Sequence, residues 1–500
     1  ATLHQPLPQR VIATPLEGFH NWDRDSGRED GGGAGGFDSV AADYLVQHGM
    51  TTAQLIDVFR NRVQAGTWTV RFFTPQVKVE QFVEVDPRTA KAVGHHKYQD
   101  ERAPGPRLEE AQALAIATRA FAIYGLDAAH FELKEALAFQ QPARRDWLFH
   151  FQERKPLAAE AFRRVTVRVS GDEVTQFTAT IKVPDSVYRK ADHQTLLNIV
   201  LIVVKIAGTV LLLAFIVTGV VIVMRHGRVH WMRAARWTLG FAIVPVAVAI
   251  ASHESRLFGY STTVQWRTFQ FDVAVDLIRT IGFQLGMVFL ALAALDAAYP
   301  HALALLSREG RARFGRAAAI AAITGIALFI ASRGLLQFLP SLFPSLASVP
   351  SIDAPSDVAI ALPGLLDLLQ AALAAVVVSA GIALFAIALR TLPNARWSGP
   401  VVTVFAIAAA ALSPGAPPHA MPLMLLRALL LGLIIWLIAR YLTADNLLAY
   451  PLAIFTILVL ANAATLLRND RPDLLANAIG ELAVLAIVYV WVVTPRRIDA

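Results

Sequence analysis

Residues 196–224, "LLNIVLIVVKIAGTVLLLAFIVTGVVIVM", decide the fold of this chain and contain one charged side chain, Lys205. A helix rises about 1.5 Å per residue, so the run is long enough to cross a hydrocarbon core of roughly 30 Å with some tilt. The residues before it have a different composition from those after it. We therefore expect a soluble head in residues 1–195, followed by a membrane body.

The balance of charged and apolar residues supports this division. Hydrophobic residues make up 55% of the 500-residue chain and charged residues 17%, and the mean hydropathy is +0.49. These values exclude a disordered chain and argue against a wholly soluble one, because a water-exposed surface needs more charge. About 24 basic and 25 acidic side chains lie in residues 1–195, against about 21 and 13 afterwards, so only the head has the charge density of a soluble domain.

The apolar runs after the head predict a helical polytopic membrane domain in residues 196–500. We predict about nine spans by length and hydropathy. They are Leu196–Met224, Leu239–Ser252, Ile281–Tyr299, Ala317–Ser332, Leu365–Leu389, Val401–Leu412, Leu423–Ile438, Leu447–Leu467 and Leu474–Val493.

The arginines between these spans predict the orientation. Thirteen arginines lie in one set of alternating loops and six in the opposite set, where nearby acids offset most of them. Loops rich in arginine and lysine stay in the cytoplasm. We therefore expect a protein of the bacterial cytoplasmic (inner) membrane, with a cytoplasmic C-terminus and a periplasmic head.

Several classes of site are not expected. Without cysteine there is no disulfide or thiolate metal site. His95 and His96 are adjacent in a strand, and His226 and His230 lack the glutamate of a zinc-binding helix, so we predict no metal site and no cofactor. The glycine-rich residues 31–36 lack the flanks of a phosphate loop. The arginine clusters have no interleaved aromatic residues, so we expect no nucleic-acid partner.

The head contains two units of similar pattern after a polar, proline- and glycine-rich segment, residues 1–49, which we predict to be flexible. Units 1 and 2, residues 50–103 and 104–190, are each predicted to be one helix packed on a small antiparallel sheet. The predicted helices are Thr51–Val63 and Leu108–Ala122, and the predicted strands are Trp68–Phe73, Val77–Val85, Ala90–Tyr98, Asp146–Gln152, Phe162–Val169 and Val174–Val183.

The second unit carries a family resemblance. It contains "LEEAQALAIATRAF" (108–121), "RRDWLFHFQ" (144–152) and "RRVTVRVSGDEVTQF" (163–177). This pattern resembles the PepSY-type domain of bacterial extracytoplasmic and membrane proteins, and the first unit resembles it less closely. The resemblance implies a head that binds or inhibits a protein or peptide partner and does not catalyse.

Ionisable side chains inside predicted spans are candidate functional residues, because burying them in lipid is costly. We single out Lys205, Asp367, Arg427 and Glu481. Arg427 and Glu481 have opposite charges at comparable depth, so we predict an interhelical ion pair between them. Asp367 is close enough to a span end to be hydrated. We expect no two spans to bring two buried acids together, as intramembrane aspartyl chemistry requires.

The C-terminal half carries a second resemblance. "VFAIAAAALSPGAPPH" (404–419) leads into "MLLRALLLGLIIWLIARYLTADNLLAYPLAIF" (424–455). These residues resemble the core of the CPBP family, the CAAX-processing and bacteriocin-processing type of intramembrane glutamic peptidase. The resemblance implies a peptidase-like membrane domain, and some members of that family also carry a PepSY-like head.

The catalytic pattern of that family is missing. It comprises a Glu-Glu-x-x-x-Arg helix, then Phe-x-x-x-His, then a later helix with histidine or asparagine. Residues 368–385 have no acid where the glutamates belong, Ala409 follows Phe405 where the histidine belongs, and the later helix has no histidine. Such a peptidase needs a carboxylate base and polar groups for its intermediate. No catalytic residue is carried over, and the resemblance implies a pseudoenzyme.

Three functions stay open from the sequence. The first is a non-catalytic scaffold or partner-binding subunit of the membrane. The second is a diverged peptidase with a relocated active site that uses Glu481 or Asp367. The third is a transporter in which Lys205, Arg427 and Glu481 line a path. If Glu481 faces an internal water-filled cavity together with two or more polar side chains, the peptidase and the transporter are favoured. If Arg427 is its only buried partner, the scaffold is favoured.

Overall fold

The computed structural model describes residues 10–15, 38–63, 67–86, 89–192, 196–226, 229–251, 253–299, 303–342, 362–413, 420–442, 446–467 and 472–494. The chain divides into two units. The head unit contains the described residues up to 193 together with those of 252–275, and the membrane unit contains the other described residues. The segment 252–275 was predicted to connect two spans within the membrane domain, but it is built into the head.

The head contains one antiparallel sheet in which all eight strands are joined. The strands are β1 (Arg10–Pro15), β2 (Trp68–Phe73), β3 (Glu80–Val85), β4 (Ala92–Tyr98), β5 (Phe131–Gln140), β6 (Arg145–Glu153), β7 (Phe162–Ser170) and β8 (Glu173–Lys182). Their order is β1-β2-β3-β4-β8-β7-β6-β5. An antiparallel sheet was predicted, but as two separate small sheets. Pairing of His95 with Phe177 and of His96 with Gln176 joins the two halves.

The helices of the head pack mainly on the half made of β5–β8. They are α1 (Ser39–Gln47), α2 (Thr52–Asp57, continued by a π-helical turn, Val58–Arg62), α3 (Glu110–Ile123) and α4 (Asp185–Asp192). Helix α3 covers β6, β7 and β8, as predicted for the second unit. However, α1 and α2 pack through Leu45 and Leu55 against Ala161, Ile181 and Val183. The first predicted helix therefore joins a core formed by the second unit.

Several elements of the head were not predicted, among them β1, α1, β5 and the short helix α4. Strand β1 and helix α1 lie in residues 1–49, which were predicted to be flexible, and β1 pairs with β2 along its whole length. Asp38 caps α1 by accepting hydrogen bonds from the amides of Val40 and Ala41. The sequence of β5, "FELKEALAFQ", is rich in helix-forming residues, but pairing with β6 overrides that preference.

The segment 252–275 is held to the sheet by a buried charged side chain. Arg71 of β2 donates from Nε to Oε2 of Glu80 at 2.9 Å and from a terminal nitrogen to the carbonyl of Phe258. The other oxygen of Glu80 accepts a hydrogen bond from the hydroxyl of Thr262 at 2.9 Å. One ion pair thus binds two strands of the sheet and the segment 252–275.

Aromatic packing completes this attachment. Tyr260 is fully buried, with its ring centroid 5.4 Å from that of Phe73 and 4.9 Å from that of Trp266. Its hydroxyl donates to the carbonyl of Val264 at 2.6 Å, so the buried polar atom is satisfied. The segment supplies part of the core of the head.

The helices of the membrane unit account for the apolar runs. They are α5 (Leu196–His226), α6 (Trp231–Phe241), α7 (Ile243–Ala251), α9 (Trp266–Ala298), α10 (Arg308–Leu342), α11 (Pro363–Leu389), α12 (Ala395–Ala410), α13 (Met421–Leu437, continued by a π-helical turn, Ile438–Leu442), α14 (Ala449–Leu467) and α15 (Pro472–Val493). The short helix α8 (His253–Phe258) belongs to the head, and so do the first residues of α9.

Eight segments of the described chain are long and apolar enough to cross a membrane. They are Leu196–Arg225, Trp231–Phe258, Trp266–Ala298, Arg308–Leu336, Pro363–Leu389, Met421–Leu442, Ala449–Leu467 and Pro472–Val493. The one predicted span without a counterpart among these eight segments is 401–412. It lies mostly in α12, which has 16 residues and so covers only about 24 Å. The chain is a multi-pass integral membrane protein.

Close helix contacts in the membrane unit depend on residues without side chains. A Cβ added at Gly219 of α5 would lie 2.2 Å from the carbonyl oxygen of Leu384 on α11, and one added at Gly208 would lie 2.4 Å from Cβ of Ala409 on α12. No side chain fits at such distances. In lipid, where apolar burial does not drive association, contacts of this kind hold helices together.

Replacing Arg71 by glutamine is expected to release the segment 252–275 from the sheet. Losing one partner of a buried ion pair costs about 3–5 kcal/mol, so amides of β2 and of residues 256–265 should lose hydrogen-exchange protection together. The matched control is Lys78→Gln, whose ion pair with Glu101 is exposed and is worth under about 1 kcal/mol. Loss of protection in β2 alone would contradict the attachment.

Replacing Gly219 by alanine is expected to destabilise the membrane unit by about 1–3 kcal/mol, because the new methyl group overlaps the α11 backbone. Gly282→Ala is the control, since a Cβ there meets no atom within 4 Å, and alanine is the better helix former by about 1 kcal/mol. Thermal unfolding of the detergent-solubilised variants measures the difference. Equal stability of the two would contradict a close contact at Gly219.

Candidate functional site

Helices α11 and α15 meet closely near the ends at which both begin. The backbone N–H of Gly364, in the first turn of α11, donates to Oδ1 of Asn477 at 3.2 Å. The first amides of a helix have no partner within it, so Asn477 satisfies one of them from the neighbouring helix. A Cβ at Gly364 would lie 3.0 Å from the backbone oxygen of Asn477. The contact therefore fixes the register of the two helices.

One turn further along each helix, this register places two acids together, Asp367 and Glu481, which form the acid pair. Asp367 follows Gly364 by three residues and Glu481 follows Asn477 by four, spacings that put successive residues on one helix face. Asp367 is 7% exposed and Glu481 1% exposed. The carboxyl group of Asp367 is the charged neighbour of the carboxyl group of Glu481. Apart from the carboxyl group of Asp367, neither buried oxygen of Glu481 has a hydrogen-bond partner in the described structure.

The next turn of both helices is apolar. Ala371 of α11, Leu485 of α15 and Val459 of α14 form one buried cluster. A second polar contact follows beyond it, where the hydroxyls of Tyr489 and Thr456 lie 3.0 Å apart. The face of α15 towards its neighbours thus alternates between the acid pair, an apolar layer and a hydroxyl pair.

The chemistry of the acid pair follows from its charge. Two carboxylates in an apolar site repel each other and lack solvation, so they do not both stay ionised without a cation. The amide of Asn477 is engaged at both ends, since Oδ1 accepts from Gly364 and Nδ2 donates to the carbonyl of Asp473 at 2.8 Å. As a neutral group, this amide does not neutralise the pair. The pair can hold a proton between its oxygens.

The four predicted residues do not form one site. The predicted ion pair between Arg427 and Glu481 is not formed among the described residues. Arg427 is exposed on α13, which packs on α12, whereas Glu481 faces α11. Lys205 is half-buried on α5. Asp367, which was expected to be hydrated, is buried, and the expectation that no spans bring two acids together was wrong.

Asp296 is a buried acid that the prediction missed. It is 3% exposed near the end of α9, and it accepts hydrogen bonds from Arg233 at 2.9 Å and from Nδ1 of His230 at 3.0 Å. The signal was present, because Asp296 lies inside the predicted span Ile281–Tyr299. With two basic partners, it is neutralised where it stands and acts as a structural anchor for α6.

A second polar cluster lies where the two halves of the head sheet join. Nε2 of His95 donates to the carbonyl of Val174 at 2.8 Å, so Nδ1 is free to accept the hydrogen bond from the hydroxyl of Tyr124. Burial lowers the pKa of His95. On the opposite face, burial raises the pKa of Glu84 to about 7, and burial followed by the charge of Arg168 lowers the pKa of His96 to about 4.

Comparison of the chain with family models, with curated proteins and with solved structures gives no match. The PepSY and CPBP resemblances therefore depend only on the residues quoted for them. Among the described residues there is also no group of three or more histidine, cysteine, aspartate or glutamate side chains that could hold a metal ion. The acid pair of α11 and α15 is the candidate functional site.

Glu84 and His96 should give the head opposite dependences on pH. The pKa of Glu84 is raised from 4.5 to about 7 in the folded head, so its contribution to stability is complete below pH 4.5 and is lost as the pH rises to about 7. The pKa of His96 is lowered from 6.5 to about 4, so its contribution to stability is complete above pH 6.5 and is lost as the pH falls to about 4. Relative to the unmodified protein, Glu84→Gln should therefore gain stability from pH 4.5 to 7, and His96→Gln should gain it as the pH falls from 6.5 to 4.

Hydrogen exchange of β3 and β4, corrected for the intrinsic rate, measures both effects. Glu101→Gln is the control for the loss of a carboxyl group, because the side chain of Glu101 is 70% exposed. A stability difference for Glu84→Gln that stays constant from pH 4.5 to 7 would contradict the raised pKa of Glu84.

Proposed function

We propose that this membrane protein conducts protons and that Asp367 and Glu481 form its proton-binding site. The observation that carries the proposal is the position of Glu481. Glu481 is fully buried, and its two oxygens have no hydrogen-bond partner in the described structure other than the neighbouring acid Asp367. A carboxyl group in such a place is costly when ionised, so it needs a compensating positive charge. A proton, taken up and released, meets that need.

The set of donor atoms favours a proton over calcium. Calcium takes about six to eight oxygen ligands, and the two carboxyl groups supply four. The backbone carbonyls of α11 and α15 around the pair lie within regular helices, where they accept helical hydrogen bonds. A shared proton needs only one oxygen from each acid.

The scaffold and the peptidase receive less support. The scaffold was favoured if Arg427 was the only buried partner of Glu481, and its partner is Asp367 instead. A peptidase must hold a tetrahedral oxyanion with preorganised donors, and one N–H of the Asn477 amide is already committed to the carbonyl of Asp473. Proton conduction needs neither a substrate cleft nor an oxyanion site.

The proposal includes an orientation and a role for the head. The arginine distribution supports the bacterial inner membrane, with the head in the periplasm, so the acid pair lies closer to the periplasmic side. A PepSY-like head would bind a protein or peptide partner. A cleft of about 600 Å³ supports this role. Its lining includes the apolar side chains of Met50, Val58 and Leu157 and the charged Asp57 and Arg62.

Reconstituted protein tests the function directly. In liposomes carrying an internal pH dye and a potassium diffusion potential, the unmodified protein should admit protons, and Asp367→Asn or Glu481→Gln should reduce the rate about tenfold or more, because each removes a titrating group. Asp473→Asn, an exposed acid on the same helix, is the control and should conduct normally. No uptake by the unmodified protein, or equal uptake by all four proteins, would contradict the proposal.

A further inference from the structure

We propose that the start of α10 binds one anionic phospholipid, with Arg313 and Arg316 on the phosphate of its headgroup and the apolar side of the same helix against its acyl chains. This inference is independent of proton conduction and concerns a different part of the membrane unit. It assigns a ligand to charged side chains that pair with no acid in the described structure.

The first nine residues of α10 carry an unbalanced positive charge. Residues 308–316, "REGRARFGR", contain four arginines and one glutamate, Glu309. Arg308, Arg313 and Arg316 are exposed, and within the part of the chain that the structure describes none of them forms an ion pair with that glutamate or with another acid. Most of the positive charge is therefore available to a ligand outside the protein.

The remaining arginine of this stretch, Arg311, shows the depth at which the site lies. It donates a hydrogen bond to the carbonyl of Trp491 at 2.6 Å, and its guanidinium carbon lies 3.9 Å from the centre of the tryptophan ring. The start of α10 is thus joined to the end of α15. Trp491 is exposed there, and exposed tryptophan at the end of a span is typical of the membrane–water interface. The neighbouring arginines therefore lie at the level of the lipid headgroups.

The donors for a phosphate come from side chains and not from the helix terminus. The amide of Gly310 donates to the hydroxyl of Ser307 at 3.2 Å, and the amide of Arg311 donates to the carbonyl of Ser307 at 3.0 Å. These two amides of the first turn already have partners. A guanidinium group carries five N–H donors in a planar fork that matches the oxygens of a phosphate.

The two arginines lie on the same side of α10 as exposed apolar residues. Successive residues of a helix are turned by about 100°, so four exposed residues fall within about 80° of one another. They are Arg313, Arg316, Ile320 and Ile323. The isoleucines follow Arg316 by about 6 Å and about 10 Å along the axis, inside the segment Arg308–Leu336 that can cross a membrane. A phospholipid presents its phosphate and its acyl chains in the same order.

A second pair of arginines allows a comparison. Arg390 and Arg396 are also exposed and also form no ion pair within the described residues. They lie on either side of the turn between α11 and α12, however, so they share no helix face. Arginines that only orient the chain need no particular position on a helix. We therefore expect a defined lipid site at Arg313 and Arg316 and only a diffuse attraction of anionic lipid at the turn.

Native mass spectrometry of the detergent-solubilised full chain measures binding of the first lipid. The unmodified protein should bind phosphatidylglycerol, which has a net negative charge, more tightly than zwitterionic phosphatidylcholine. Arg313→Gln combined with Arg316→Gln should weaken binding of phosphatidylglycerol about tenfold or more, because each basic side chain near a membrane surface contributes roughly fivefold. The matched control, Arg390→Gln combined with Arg396→Gln, removes the same charge and should change the binding little.

Two further measurements separate the site from other causes. Arg313→Lys combined with Arg316→Lys keeps both charges and should retain most of the binding, and its loss there as well would contradict a site based on charge. Excess inorganic phosphate should not displace the lipid, because it has no acyl chains to pack on the isoleucines; displacement would overturn the assignment to a phospholipid. Equal weakening by the two glutamine pairs would reduce the effect to general surface charge and would also overturn the proposal.

Discussion

The membrane unit depends on one electrostatic constraint, which is that the carboxyl groups of Asp367 and Glu481 share one buried site. An apolar environment does not tolerate two adjacent negative charges, so the two groups do not both stay ionised there without a compensating positive charge. The contact of Gly364 with Asn477 sets the register that places Asp367 against Glu481, and Val459 of α14 packs against the next turn of both helices. Helix packing thereby creates a group whose charge depends on its surroundings.

The buried charges elsewhere in the chain show the contrast. Arg71 has Glu80 within direct hydrogen-bonding distance, and Asp296 has Arg233 and His230. Such pairs of opposite charge are neutral without any exchange with solvent, so they hold elements together over a wide range of pH. Asp367 and Glu481 have the same sign, and a pair of this kind changes state whenever a proton arrives or leaves. The first arrangement is suited to anchoring and the second to carrying protons.

In this protein the sequence predicts the local structure of single elements better than it predicts which elements contact one another. Alternating residues such as Val165, Thr166 and Val167 mark β7, because one face of the sheet is buried and the other is not. Strand β5 is missed because its composition favours a helix until β6 pairs with it. Depth along two spans is readable from the sequence, but which spans touch is decided by close contacts such as that at Gly364. For this reason Glu481 was assigned the wrong partner.

The face of α15 that meets α11 and α14 supports a functional origin for the acid pair. Ala478 and Leu485 lie on this face and pack with no polar atom to satisfy. Alanine or leucine at position 481 would fill the same interface without a charge to neutralise. A glutamate there makes the fold less stable unless a proton is bound. An apolar side chain would fill this site without that loss of stability. A residue that lowers stability where a simpler one would pack is typical of a functional residue.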